Sequence, residues 1–150
     1  MYVDENKVKR YKIMSRDRAQ KYCLQNHSRT SVIISIRSSW DKVLPSLPMN
    51  DKNNVKDVLF LAFDDVDKED SPECCMQPSD AKKVAEFVEK YYDKVDDLIF
   101  HCDGGISRSA GVTAAVMRAK EGNDYYVFKI NTKCPNMTCY LETLKAFKYI

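Results

Sequence analysis

"DLIFHCDGGISRSAGVTAAVMRAKEG", residues 97–122, reads as strand, loop and helix in succession. Residues 97–100 are mostly apolar and include an Ile and a Phe, the composition of a buried strand. Residues 109–121 are rich in alanine, the strongest helix former, and Gly122 supplies a stop. The loop between them holds a histidine, a cysteine, a serine and an arginine, and a second serine, Ser109, opens the helix. Three of the chain's four glycines, Gly104, Gly105 and Gly111, lie in or beside the loop.

The same alternation extends outward. Residues 9–14 read as a short strand. Ser15 reads as the cap of a helix over 16–24, with Ala19, Cys23 and Leu24 on one face. Residues 30–36 (TSVIISI) and 55–63 (VKDVLFLAF) read as buried strands. They are separated by a connecting region containing Trp40, Pro45 and Pro48. Residues 64–78 form an acidic loop. Ser79 reads as the cap of a helix running to about Tyr92, with Val84, Phe87, Val88 and Tyr91 at helical spacing. A short helix is expected over 123–130, and Asn136 is placed to cap a last helix toward Tyr149. Strands alternating with helices predict an α/β fold, with a central, mostly parallel sheet flanked by helices. A chain of 150 residues fits a single domain spanning 1–150. Ligands of such sheets bind at the carboxyl ends of the strands, where the 101–108 loop sits.

Composition narrows the partners. The 24 basic and 22 acidic residues leave a net charge of +2, which argues against nucleic acid or an anionic membrane as a main partner. No apolar run approaches a membrane span, and the N-terminus lacks the apolar core of a signal peptide. A cytoplasmic protein, monomeric by default, is the expectation. The six cysteines are expected to be reduced there, rather than paired in a disulfide framework. With no C-x-x-C pair and two distant histidines, no metal site and no cofactor are expected.

The loop is suited to an anion. A turn leaving a strand and entering a helix presents backbone N–H groups, and the helix N-terminus adds partial positive charge. Arg108 offers a planar fork that matches two phosphate oxygens. An ordinary thiol is only ~3 % thiolate at pH 7, and a positive cradle raises that fraction. Cys102 is then a nucleophile aimed at phosphorus, giving a cysteinyl-phosphate that water later hydrolyses. Asp103, Gly104, Gly105, Ile106, Ser107 and Arg108 would form the phosphate cradle. Ser109 would donate to the sulfur, and His101 would fix the loop through hydrogen bonds.

The run H-C-x-x-G-x-S-R-S resembles the signature loop of the cysteine-dependent protein tyrosine phosphatase superfamily, H-C-x5-R-[S/T]. Its closest likeness is to the small, bacterial-like dual-specificity branch. The similarity covers roughly residues 30–145. "CPNMTCYLETL" (134–144) resembles the later P-N-x-x-F-x-x-Q-L helix start, with Cys139 in place of Phe and Thr143 in place of Gln. The resemblance implies a dual-specificity-phosphatase-like fold, Cys102 as nucleophile and Arg108 as phosphate ligand. It also implies an upstream Asp as general acid, because an expelled alkoxide must be protonated. Asp64, Asp65, Asp67 and Asp70 are the candidates, and aligning "FDD" with the strand-end pattern favours Asp65.

Rival readings are set by the same residues. Asp65 and Asp67 resemble the D-x-D of magnesium-dependent aspartyl-phosphate phosphatases, but Glu69 stands where Thr or Val is wanted. Other readings are a rhodanese-like or arsenate-reductase-like cysteine enzyme and a pseudophosphatase that docks phosphoproteins. The cradle contains an acid and no lysine, which disfavours phosphoinositides and other polyanions. A phosphorylated protein or peptide is the expected partner, with phosphotyrosine and phosphoserine/threonine both open. Trp40, Tyr125 and Tyr126 are expected to pack rather than line a rim. Cys74 and Cys75 are possible redox partners of Cys102.

Overall fold

A computed structural model describes residues 4–150. In chain order its elements are α1 (Glu5–Val8), β1 (Tyr11–Ser15), α2 (Arg16–Cys23), β2 (Ser31–Arg37), β3 (Val55–Ala62), α3 (Pro78–Tyr91), β4 (Asp97–Cys102), α4 (Arg108–Glu121), α5 (Tyr125–Lys129) and α6 (Met137–Ala146). The strands form one sheet in the order β1-β4-β2-β3, and all three neighbouring pairs run parallel. The expected α/β architecture is therefore present.

The order explains the sequence pattern. Strands β2 and β4 are central and buried on both faces, so they carry almost unbroken apolar runs. Side chains alternate between the faces. Val32, Ile34 and Ile36 of β2 join Leu98, Phe100 and Cys102 of β4 in one core, against Val84 and Val88 of α3 and Val112 and Val116 of α4. Ile33 and Ile99 point the other way, onto Ala19 and Cys23 of α2. Cys102 thus faces the side of the sheet on which α4 begins.

Helix α4 has little amphipathic character because residues 108–117 are all buried. It packs against the sheet, α5 and α6. Gly111 allows the α6 approach: a Cβ there would sit 2.4 Å from the Asn136 carbonyl oxygen. Gly122 ends the helix at φ 82°, a left-handed conformation that suits glycine.

Four local expectations need correction. Strand β3 is an edge strand and is buried at few positions, so its apolar run does not report two-sided burial. Leu24 lies beyond the last turn of α2 as its C-cap and is 79 % exposed, off the buried face. The cap of α3 is Gln77, not Ser79: Asp80 Oδ2 accepts from Gln77 N at 2.9 Å, the Gln77 carbonyl accepts from Asp80 N, and Pro78 occupies the first helical turn. The short α1 was not anticipated. Ser15 and Asn136 do cap α2 and α6, accepting from the amides of Arg18 and Cys139. Among the described residues, no helix is long and apolar enough to cross a membrane.

Candidate active site

Strand β4 ends at Cys102, and α4 starts at Arg108. The carbonyls of the intervening turn are held from outside. Asp103 O accepts from Arg16 N at 3.2 Å, and Ile106 O from Cys134 N at 3.0 Å. Ser107 O accepts from Asn136 N and Gly111 N, both at 2.9 Å. Lys133 Nζ donates to Gly105 O at 2.7 Å. Every described peptide is trans. A trans peptide sets each C=O antiparallel to the next N–H. The N–H groups of Gly104, Ile106, Ser107 and Arg108 therefore point away from those outer donors, into the concave side of the loop. This is how a chain segment makes an anion-binding nest.

Gly105 makes the curl possible. Its φ is +68°, and a Cβ there would lie 2.5–2.6 Å from backbone atoms of Met14 and Ser15 in β1. The equivalent atom on Gly104 would meet nothing closer than 3.7 Å. Gly105→Ala is therefore expected to cost at least about 2 kcal/mol, from the left-handed backbone and the clash together. Gly104→Ala is expected to stay within about 0.5 kcal/mol of wild type. Urea unfolding of the two variants checks the pair.

Cys102 is buried, and its Sγ lies 3.1 Å from Ser109 Oγ. Arg108 is buried and almost fully engaged. Its Nη1 donates to the Phe63 carbonyl at 2.8 Å and to Ser38 Oγ at 3.1 Å. Its Nη2 pairs with Asp103 Oδ2 at 3.2 Å. Its Nε is shielded from solvent and has no partner.

His101 alternates to the opposite face from Cys102. Its Nε2 lies 2.6 Å from Ser35 Oγ and its Nδ1 3.2 Å from Cys102 O. A carbonyl can only accept, so Nδ1 carries the proton and Nε2 accepts from the serine. Burial holds the pKa of this histidine below its ordinary value, despite the opposing bond to Cys102 O. The unfolded chain gains a proton near pH 6.5 that the folded chain refuses. The associated stability is complete above that pH and falls as pH drops through it. The urea midpoint is thus expected to fall between pH 7.5 and 5.5, and His101→Asn to flatten that slope. Asp64, whose pKa is depressed, acts only in the lower carboxylate window.

The structure separates the acidic candidates. Asp64 Oδ1 accepts from Ser39 N and Ser39 Oγ, both at 2.8 Å, and these bonds hold its pKa below the usual carboxylate value. Asp65 instead turns to the loop. Its Oδ1 accepts from Ser107 Oγ at 2.8 Å and from Asn136 Nδ2 at 3.0 Å. Asp67 and Asp70 are exposed and line a groove of about 440 Å³ with Asp65, Ser107, Asn136 and Met137. Asn136 joins three parts: it caps α6, its amide holds Ser107 O, and its side chain also donates to Val66 O at 3.2 Å.

Sequence reasoning missed Ser38, the Phe63 carbonyl, Ser35 and Lys133. Ser38 was findable, because β2 neighbours β4 and the residues after its carboxyl end must flank the loop. Lys133 had no sequence signal. Trp40 and Tyr125 are 74 % and 60 % exposed, so they do not pack as expected, while Tyr126 is partly buried against the α4–α6 core. All six cysteines are free thiols. No metal-binding cluster of three or more His, Cys, Asp or Glu occurs among the described residues.

No family model matches the chain, and no curated protein sequence matches it. Solved structures do. The chain is similar to human DUSP28, with a TM-score of 0.60 and 16 % identity over 93 % of this chain and 92 % of that one. A human tyrosine phosphatase-like serine/threonine/tyrosine-interacting protein gives a TM-score of 0.56 and 18 % identity over 80 % and 77 %. PTPMT1 in complex with PI(5)P gives 0.52 and 15 % over 80 % and 78 %. The fold is that of the dual-specificity and protein tyrosine phosphatase superfamily.

Proposed function

We propose that the chain hydrolyses phosphomonoesters on a protein or peptide through a cysteinyl-phosphate on Cys102. The observation that carries this reading is the buried Arg108 Nε, left without an acceptor at the end of the loop that holds the turned-in amides and begins at the thiol. An unsatisfied buried donor costs about 1–3 kcal/mol, and a phosphoryl oxygen removes that cost.

The steps follow from the residues. The Cys102 thiolate attacks phosphorus, forming S–P as the ester P–O bond breaks. Charge on the equatorial oxygens meets the loop amides and Arg108. Asp65 gives its proton to the departing oxygen. Both of its hydrogen bonds fall on Oδ1, so Oδ2 is the oxygen assigned to that proton. Water then attacks the cysteinyl-phosphate and passes a proton to Asp65. The S–P bond breaks, and Ser109 Oγ stabilises the returning thiolate. Asp103 already occupies one edge of Arg108, residues 103–108 include no lysine, and Lys133 is spent on the Gly105 carbonyl, which together favour a substrate with a single phosphate.

The test is hydrolysis of a series of aryl and alkyl phosphates in EDTA and a thiol reductant. Turnover is expected to survive EDTA. Asp65→Asn is expected to slow poor leaving groups about 10²–10³-fold and good ones far less. Asp64→Asn, which acts through Ser39 and the geometry around Arg108, is expected to slow all leaving groups equally. Turnover that requires magnesium would move the chemistry to Asp65 and Asp67.

A further inference from the structure

A second cavity, of about 230 Å³, is walled by Tyr11 and Ile13 of β1, Met117 of α4, Val127 of α5 and Ile130, and its one charged lining residue is Lys133. We propose that it binds a medium-chain carboxylate, with the acyl chain among these walls and the head on Lys133, and that occupancy weakens anion binding in the 102–108 loop. The coupling half of the proposal rests on reading that loop as a phosphate cradle.

Three observations carry it. The walls are mostly apolar and leave room: a cavity of about 150 Å³ accepts benzene, so this one accommodates a chain of roughly eight to ten carbons. Lys133 gives the ligand its sign. Its ammonium now donates to a neutral carbonyl, Gly105 O, at 2.7 Å. A carboxylate is the stronger acceptor, since charge-assisted bonds are roughly twice as strong.

The third observation is mechanical. Gly105 is held from two sides, by Lys133 and by the backbone of Met14 and Ser15, against which no Cβ would fit. Lys133 and Ile13, the neighbour of Met14, both line the cavity. A ligand there draws Lys133 from Gly105 O and presses on β1. Both supports of the one left-handed residue in the loop are then disturbed. The Gly105 peptide can rotate, and the Ile106 N–H leaves the concave side.

The experiment uses the isotopically labelled full chain carrying Cys102→Ser, titrated with decanoate below its micelle concentration and with decanol. Saturable NMR shifts are expected at Ile13, Val127 and Ile130. Decanoate is expected to weaken inorganic phosphate binding about tenfold, and phosphate to weaken decanoate by the same factor. Decanol, which presses on β1 but leaves Lys133 on Gly105 O, is expected to fill the walls and weaken phosphate far less than decanoate does, and Lys133→Met is expected to remove the difference between the two while decanol still binds. Absence of saturable shifts at the wall residues overturns the proposal. So does decanol weakening phosphate as much as decanoate, or decanoate shifting only residues 102–108. Saturation at the walls with no phosphate binding at all supports the cavity and overturns the cradle reading alone.

Discussion

Cys102→Ser is expected to abolish turnover, by at least about 10⁴-fold, and to leave phosphate affinity nearly intact. The magnitude follows from the chemistry of the nucleophile. A hydroxyl in the same place is hardly ionised at neutral pH, and losing a nucleophile costs up to about 10⁶-fold in other covalent enzymes. A 10⁴-fold loss corresponds to about 5.5 kcal/mol of transition-state stabilisation. Binding is expected to persist because the groups that meet the anion lie elsewhere. The turned-in amides depend on outer donors to Asp103 O, Gly105 O, Ile106 O and Ser107 O, none of which touches the sulfur. Arg108 is oriented by Ser38, Phe63 O and Asp103. Serine also keeps a partner, since Ser109 Oγ is in reach of the side chain at 102. The measurement is single-turnover hydrolysis of an aryl phosphate, beside calorimetric titration with phosphate. Lost turnover with retained affinity supports the cysteinyl-phosphate route. Retained turnover would sink it, and an inactive wild type that still binds phosphate would favour the docking reading.

How far the sequence led depends on how local each feature is. The strand–loop–helix unit around Cys102 was legible because its parts are contiguous: two-sided burial of β4, the glycines, and a helix stopped by Gly122. The caps at Ser15 and Asn136 were legible for the same reason. The edge position of β3 was not, because an edge strand and a central one can share an apolar composition. Pairing partners, not residue types, decide which is which. The choice among the acidic residues was also beyond the sequence. Asp64 and Asp65 are adjacent, and they are told apart only by contacts with Ser39 on one side and with Ser107 and Asn136 on the other. Lys133 illustrates the limit. It reaches Gly105 from 28 residues away, and nothing in its neighbourhood of sequence marks it.

Arg108→Lys carries the second largest expected loss, about 10³-fold in kcat/KM, or roughly 4 kcal/mol. Charge is conserved in this variant, so the loss measures geometry. The guanidinium serves two sets of partners at once. Nη1 and Nη2 are spent on Phe63 O, Ser38 and Asp103, and Nε has no partner, so on the proposed reading that edge meets the substrate. An ammonium is a point charge without that fork. If it turns to substrate, it abandons a buried carbonyl and the Asp103 carboxylate; if it stays, the anion loses its planar partner. Phosphate affinity is therefore expected to fall together with kcat, unlike the Cys102→Ser result. Asp103 supplies the decisive control. In Arg108→Lys its carboxylate is no longer held in the plane of a fork and repels the incoming anion. Adding Asp103→Asn should then recover part of the lost phosphate affinity. In a background that keeps Arg108, the same change removes an orienting partner as well as a repulsion, so the two effects oppose. A non-additive double-mutant cycle with the larger gain in the Arg108→Lys background is the expected result. Equal gains in both backgrounds would mean that Asp103 acts only through its charge and does not orient the arginine.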